Sequence, residues 1–199
     1  DTPLKAARIT RIFESYKFGE VTVRVLPNRG RDIAPKLVGY RDVYDRYEYV
    51  LHLHSKKSLH NRKLGSWRTY LYETLSGSPA YVRDILEIFD QSPRVGMIFP
   101  QHYEYIRRWI SWDENYGECF KLAARLGYEL SADHPLDFPS GSMFWARSAA
   151  LKPLFDLDLT LDDFPEETGQ EDSTPAHAIE RLYAIICELS GHDWVKIAR

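Results

Sequence analysis

Cysteine is nearly missing from this chain, with only Cys119 and Cys187 in 199 residues. A disulfide scaffold or a cysteine zinc site needs more thiols at set spacings, so both are excluded, and a reducing cytoplasm suits the composition. Long apolar runs are missing too, none approaching the roughly 18 to 20 residues that a membrane-spanning helix requires. The opening Asp1-Thr2-Pro3-Leu4-Lys5 has no signal-peptide pattern, and a start at Asp rather than Met reads as a piece of a longer protein. There is no surplus of positive charge: 26 Lys and Arg against 29 Asp and Glu leave a net charge of -3. That argues against nucleic acid as a partner, because displacing phosphate counterions takes a clustered cationic surface. An anionic ligand would have to be met by a local cluster. Repeats and low-complexity linkers are also absent, so one globular domain over residues 1–199 is expected.

What the chain has in plenty is aromatic: 13 Tyr, 9 Phe and 5 Trp. That supply suits stacking on sugar rings, although most aromatics in any domain serve the core. Along the chain, strand and helix patterns alternate. Ile9, Ile12, Phe13 and Tyr16 have helical spacing, residues 21–26 read as a β-branched strand, and residues 48–54 as the next. Ser78-Pro79 opens an amphipathic helix before a buried strand at 95–99. A helix through Tyr116 and Phe120 precedes a strand at 142–146, Thr174-Pro175 opens a helix carrying Ile179, Leu182, Ile186 and Leu189 inward, and residues 194–197 form a last strand. The expected fold is a mixed, mostly parallel sheet flanked by helices, with the strands at 21–26 and 48–54 adjacent and parallel.

Four segments carry chemistry. Asn28-Arg29-Gly30-Arg31-Asp32 lies between a strand and a helix, where loop amides favour a phosphate; the plainer reading has Gly30 making a turn and Asp32 capping the helix. His52 and His54, two apart on a strand, share a face and lead into Lys56 and Lys57 at its carboxyl end. The histidines could hold a metal or sit buried and hydrogen-bonded, while the lysines could neutralise a diphosphate unaided or merely be solvated. Ser140-Gly141-Ser142, just before an aromatic strand, lets a ligand approach the backbone, with Trp145 either in the core or stacked on a sugar. Glu171-Asp172 places two carboxylates ahead of a helix, as a catalytic base with its partner or as helix-end charges.

The strings NRGRDIAP, HLHSKKS, Trp67-Arg68, FPSGSMFWAR and QEDSTPAHAIER, in this order over nearly the whole chain, together resemble rhamnan synthesis protein F and its relatives. The resemblance implies a glycosyltransferase of the bacterial cell envelope, active in lipopolysaccharide or other rhamnose-containing polysaccharide biosynthesis. It implies a nucleotide-sugar donor, dTDP-rhamnose, and a glycan or lipid-linked glycan acceptor, with the protein cytoplasmic or peripheral at the inner face of the membrane. The order of motifs is also similar to the GT-A plan, a Rossmann-like sheet in which Asn28 and Gly30 match an N-x-G element and Glu171-Asp172 a late Glu-Asp that supplies the base of an inverting reaction. His52-Leu53-His54 stands where that plan has a metal-binding Asp-x-Asp. A divalent metal, Mn or Mg, thus gives way to Lys56 and Lys57 as the alternative source of positive charge. The first GT-A strand is not visible before Asp1. On this reading Asn28, Arg29, Gly30, Arg31, Asp32, His52, His54, Lys56 and Lys57 bind the donor. Ser140, Gly141, Ser142 and Trp145 bind the acceptor, beside a rim of Tyr103, Tyr105, Trp109 and Trp112, and Asp172 or Glu171 is the base. The rival reading is a carbohydrate-binding or assembly module that keeps the fold without turnover.

Overall fold

The computed structural model describes residues 1–55, 65–170 and 172–198. Seven α-helices, α1 (Pro3–Phe13), α2 (Arg41–Tyr44), α3 (Trp67–Ser76), α4 (Pro79–Gln91), α5 (Tyr116–Arg125), α6 (Lys152–Asp156) and α7 (Pro175–Leu189), are described around one sheet. Its strands are β1 (Tyr49–His52), β2 (Val95–Pro100), β3 (Phe144–Arg147) and β4 (Asp193–Ile197), in the order β1-β3-β2-β4. β3 is antiparallel to both β1 and β2, and β2 is parallel to β4. Three strands therefore point one way and end at a single edge of the sheet, where β3 begins.

Local chemistry explains where the long helices start. The Ser78 hydroxyl accepts the Tyr81 N–H at 3.2 Å and Thr174 does the same for His177, each followed by a proline whose missing N–H costs nothing in a first turn. Alternation along the strands then sorts side chains to two faces. Val50, Met97, Phe99, Phe144 and Ala146 face a layer built from α5, α7 and residues 33–44, while Leu51, Ile98, Met143 and Trp145 face α3 and α4. Fully buried side chains such as Phe89, Leu71 and Tyr183 anchor the two layers, the apolar ones contributing about 1.5–3 kcal/mol each. Helix α7 is buried on nearly all sides, as expected of a helix apolar all round, although Leu189 near its end is exposed. Cys119 and Cys187 are both buried, and burial pushes each thiol up to about 12, so they pack as small apolar groups. Among the described residues no helix is long and apolar enough to cross a membrane.

The expected mixed α/β sheet is present, but three details differ. Residues 21–26 form no strand. They lie beside α2 without regular structure, the Arg24 N–H donating to the Tyr40 hydroxyl and its guanidinium to Asp42 and the Gly39 carbonyl. β-branched residues make a strand only where another strand offers a ladder, and β1 pairs only with β3 among the described residues. The anticipated parallel pair of 21–26 with 48–54 is thus absent. Nor is the sheet mostly parallel by pairing, since β3 inserts antiparallel between β1 and β2. Finally, α1 has the helical spacing expected of it, yet none of its residues is buried, leaving Ile9, Ile12 and Phe13 exposed.

Candidate active site at the sheet edge

Polar side chains from four elements converge where β1 and β2 end and β3 begins. Asp32 does not cap the helical segment after it. Its carboxylate instead turns inward to pair with Lys36 one turn on, Nζ to Oδ2 3.0 Å. The Lys36 ammonium also donates to the Ser142 hydroxyl at 3.1 Å and the Ser142 carbonyl at 3.3 Å, so all three of its hydrogens have acceptors. It lies 5.4 Å from the Phe144 ring centroid and 5.3 Å from that of Tyr183. Burial works to raise the Asp32 pKa, but the Lys36 charge, His54 and the hydrogen bond from Lys36 outweigh it and hold the group down at about 2. Asp32, Lys36, His52, His54 and Ser142 line one cavity of about 530 Å³, whose other walls include Tyr40, Tyr44, Tyr47 and Tyr49. It is polar at the sheet edge and aromatic along residues 40–49, which run from α2 into β1.

The Ser140-Gly141-Ser142 turn is gripped from four sides. His54 Nε2 donates to the Gly141 carbonyl at 2.6 Å, the Gly141 N–H donates to Glu180 of α7 at 2.8 Å, and Lys36 holds Ser142. Ser140 Oγ meets His102 Nδ1 at 3.0 Å, while His102 Nε2 lies 3.1 Å from Asp137, itself paired with Lys196 at the end of β4. Gly141 (φ 86°) and Ser142 (φ 58°) are both left-handed, and a Cβ at 141 would lie 3.0 Å from Leu71 and 3.1 Å from Trp67.

Asp172 lies just before α7. Asn115 Nδ2 donates to its Oδ1 at 2.6 Å and Arg181 Nη2 stands 3.5 Å from the same oxygen. The helix is capped by Thr174 instead, so Asp172 is no cap, and its side chain is 42% exposed. Through Arg181, whose guanidinium covers the Phe138 ring at 5.6 Å, it connects to the segment leading into Ser140.

Several expected site residues land elsewhere. His52 ends β1 and His54 lies two residues beyond it, and the two form no metal pair: His52 Nε2 is 2.6 Å from the buried Tyr44 hydroxyl, His54 Nε2 is bonded to Gly141, and the nearby Asp32 carboxylate is bound by Lys36. Burial, helped by the Lys36 charge, lowers the His52 pKa well below the usual histidine value, and burial pushes the Tyr44 phenol up, so both stay neutral. Among the described residues no group of three or more His, Cys, Asp or Glu is arranged around a common point for a metal, and these ligands do not fit one. Trp145 is a core residue, not part of an acceptor pocket. It faces α3 and α4 and its indole N–H donates to the Leu75 carbonyl at 2.9 Å. Trp145→Phe should therefore destabilise the fold by about 1–3 kcal/mol in urea titration, the cost of a buried carbonyl left unpaired. Sugar binding measured on the same variant should be unchanged.

The Asn28–Asp32 turn is split. Asp32 enters the cavity, while Asn28 and Arg31 line a separate, smaller one and Gly30 packs on Ala34 and Phe164. The Arg29 and Arg31 side chains turn to residues 162–170, away from His54. In the aromatic rim Tyr105 and Trp109 are exposed, whereas Trp112 packs against the core and donates to the His134 carbonyl. Lys56, Lys57 and Glu171 lie outside the described residues. The residues missed by sequence reading are Lys36, Glu180, His102, Asp137 and Lys196. Only Lys36 had a local signal, its place four residues after Asp32.

The family profile described as rhamnan synthesis protein F matches residues 1–191. The chain belongs to this family. Two curated relatives, both called uncharacterized protein WxcX and both from strains of Xanthomonas campestris pv. campestris, are 39% and 38% identical over 175 residues, which is 87% of this chain. That stretch is 25% of each relative, so the chain spans about a quarter of the length of the curated proteins it matches. No solved structure matches it significantly. Membership of the rhamnan synthesis protein F family ties the chain to polysaccharide synthesis.

Proposed function

We propose that this domain is a GT-A-like glycosyltransferase that moves rhamnose from a nucleotide-diphosphate donor to a hydroxyl of a growing surface glycan, with inversion. The observation that carries this reading is the joined Asp32, Lys36, His54 and Ser142 cluster in a cavity at the edge where three like-directed strands end, the usual ligand edge of such sheets. The acceptor oxygen attacks the anomeric carbon as the bond to the diphosphate breaks. Asp172 takes the acceptor proton, and Lys36, joined by Lys56 and Lys57, stabilises the departing diphosphate. The tyrosines lining the cavity from Tyr40 to Tyr49 give the nucleobase an aromatic wall, and Tyr105 and Trp109 offer exposed faces to the glycan. The reaction belongs at the cytoplasmic face of the membrane. A non-catalytic glycan-binding module is favoured by one observation, the saturation of the Lys36 ammonium by protein acceptors.

Because the histidines and Asp32 are held by protein partners, no step passes through a metal. Calorimetry with dTDP should therefore give the same dissociation constant in EDTA as in Mn or Mg. Affinity lost in EDTA would replace the lysines with a metal, and absence of dTDP binding under both conditions would remove the donor site.

A further inference from the structure

Sequence reasoning gave Arg29 and Arg31 to the donor, but neither lines the cavity of Asp32 and His54, and both turn to residues 162–170. Gly30 (φ 62°) and Arg31 (φ 56°) are left-handed in succession, and the Ile33 and Ala34 N–H groups both return to the Gly30 carbonyl at 3.0 Å. This tight turn sends the Asp32 side chain into the cavity and its two arginine neighbours the other way. Gly30 is needed here because a Cβ would lie 2.6 Å from the Phe164 ring and 2.4 Å from Ala34.

Residues 162–170 are fastened to that turn along their length. Arg29 pairs as an isolated bridge with Glu166, the Glu167 N–H donates to the Asn28 carbonyl at 3.2 Å, and Arg29 Nη1 donates to the Phe164 carbonyl at 3.2 Å. The Arg31 N–H donates to Glu167 Oε1 at 3.0 Å, and its guanidinium donates to the Gln170 carbonyl with Nε 3.8 Å from Glu167 Oε2. Two residues later comes Asp172, held from the far side by Asn115, which also accepts the Ser173 N–H at 2.9 Å. The exposed ion pairs of Arg29 with Asp162 and Glu166 contribute little. The bonds to two carbonyls, one from each arginine, are the specific part, and each guanidinium fork reaches a carbonyl and a carboxylate at once, which a lysine can match only in part.

We propose that Arg29 and Arg31 are positioning residues, a strap that sets where the Asp172 carboxylate stands. The proposal rests on Asp172 being the base of the reaction proposed above.

The test uses Arg29→Gln, Arg31→Gln and Arg31→Lys, each compared with Asp172→Asn. Amide hydrogen exchange over residues 164–174 should quicken by roughly tenfold in the glutamine variants, the loss expected of a hydrogen bond, with exchange in β2 and α7 unchanged. Their dTDP affinity should hold, and transfer by the intact enzyme should fall in kcat with KM for the donor unchanged. Arg31→Lys should recover part of the protection. Unchanged exchange overturns the strap whatever the activity does, and weakened dTDP binding with unchanged exchange returns the arginines to the donor. Quickened exchange with normal transfer, where Asp172→Asn is inactive, overturns the positioning role. Normal transfer by Asp172→Asn removes the base reading instead, and exchange alone then decides the strap.

Discussion

Asp172→Asn should leave dTDP binding intact while transfer by the full-length enzyme falls by roughly 10²- to 10⁴-fold, the usual worth of general-base catalysis. The substitution is conservative in the ways that matter for structure. Asn115 donates to Oδ1, and an asparagine at 172 keeps an acceptor oxygen in that place. Asn115 is itself oriented by the Ser173 N–H, so the local network survives. Thr174 caps α7, so no cap is lost. What disappears is the basicity and, with it, the negative charge that faces Arg181. Both contacts described for Asp172 fall on Oδ1, and Oδ2 is the oxygen assigned to the acceptor proton. Glu171 is the alternative base, and Glu171→Gln separates the two: transfer lost in Glu171→Gln and kept in Asp172→Asn moves the base by one residue. Normal turnover in both variants would favour a glycan-binding module without transfer.

How much of this was legible in the sequence depends on how local the cause was. Ser78-Pro79 and Thr174-Pro175 could be read as helix starts because cap, proline and first turn lie within four residues. The positions of β1 to β4 followed from alternation and β-branching, but residues 21–26 carried the same signal and form no strand, and the pairing could not be read, because the direction of β3 is set by what lies beside it. Trp145 shows the same limit. Alternation separates 143 and 145 from 144 and 146, but both faces of this sheet are covered by helices, so the pattern cannot say which side meets a ligand. The glycine in the Asn28–Asp32 turn was visible, while the opposite fates of Arg31 and Asp32 required the φ values of that turn. His102 and Asp137 are far apart in sequence and meet only because β2 ends where the segment before β3 arrives. Lys36 was within reach, four residues after Asp32, but such a pair is usually read as a solvated helix face.

Lys36 is also where the largest loss of stability is expected. Its side chain is 14% exposed and that of Asp32 22%, so removing the ammonium leaves a carboxylate largely shut away from water, with His54 Nε2 3.9 Å off. Breaking a buried pair from one side costs about 3–5 kcal/mol, and for a chain of this size Lys36→Met should lower Tm by roughly 6–20 °C at pH 7. Adding Asp32→Asn should return much of the loss, because an uncharged partner no longer needs the ammonium. The pH dependence follows from the depressed Asp32 pKa. In the unfolded chain the group titrates near 3.9, against about 2 in the fold, a gap worth about 2.5 kcal/mol. That stabilisation is complete above the unfolded value and lost as the pH falls from about 4 through 2. The difference between wild type and Lys36→Met should accordingly be widest near neutrality and shrink over that acid window, in urea titrations at a series of pH values. A difference that stays constant from pH 7 to 2 would mean that the lysine acts through packing on Phe144 and Tyr183, not through its charge. If the charge is what counts, dTDP affinity should fall with the same substitution, because the diphosphate would lose the fixed cation proposed to meet it.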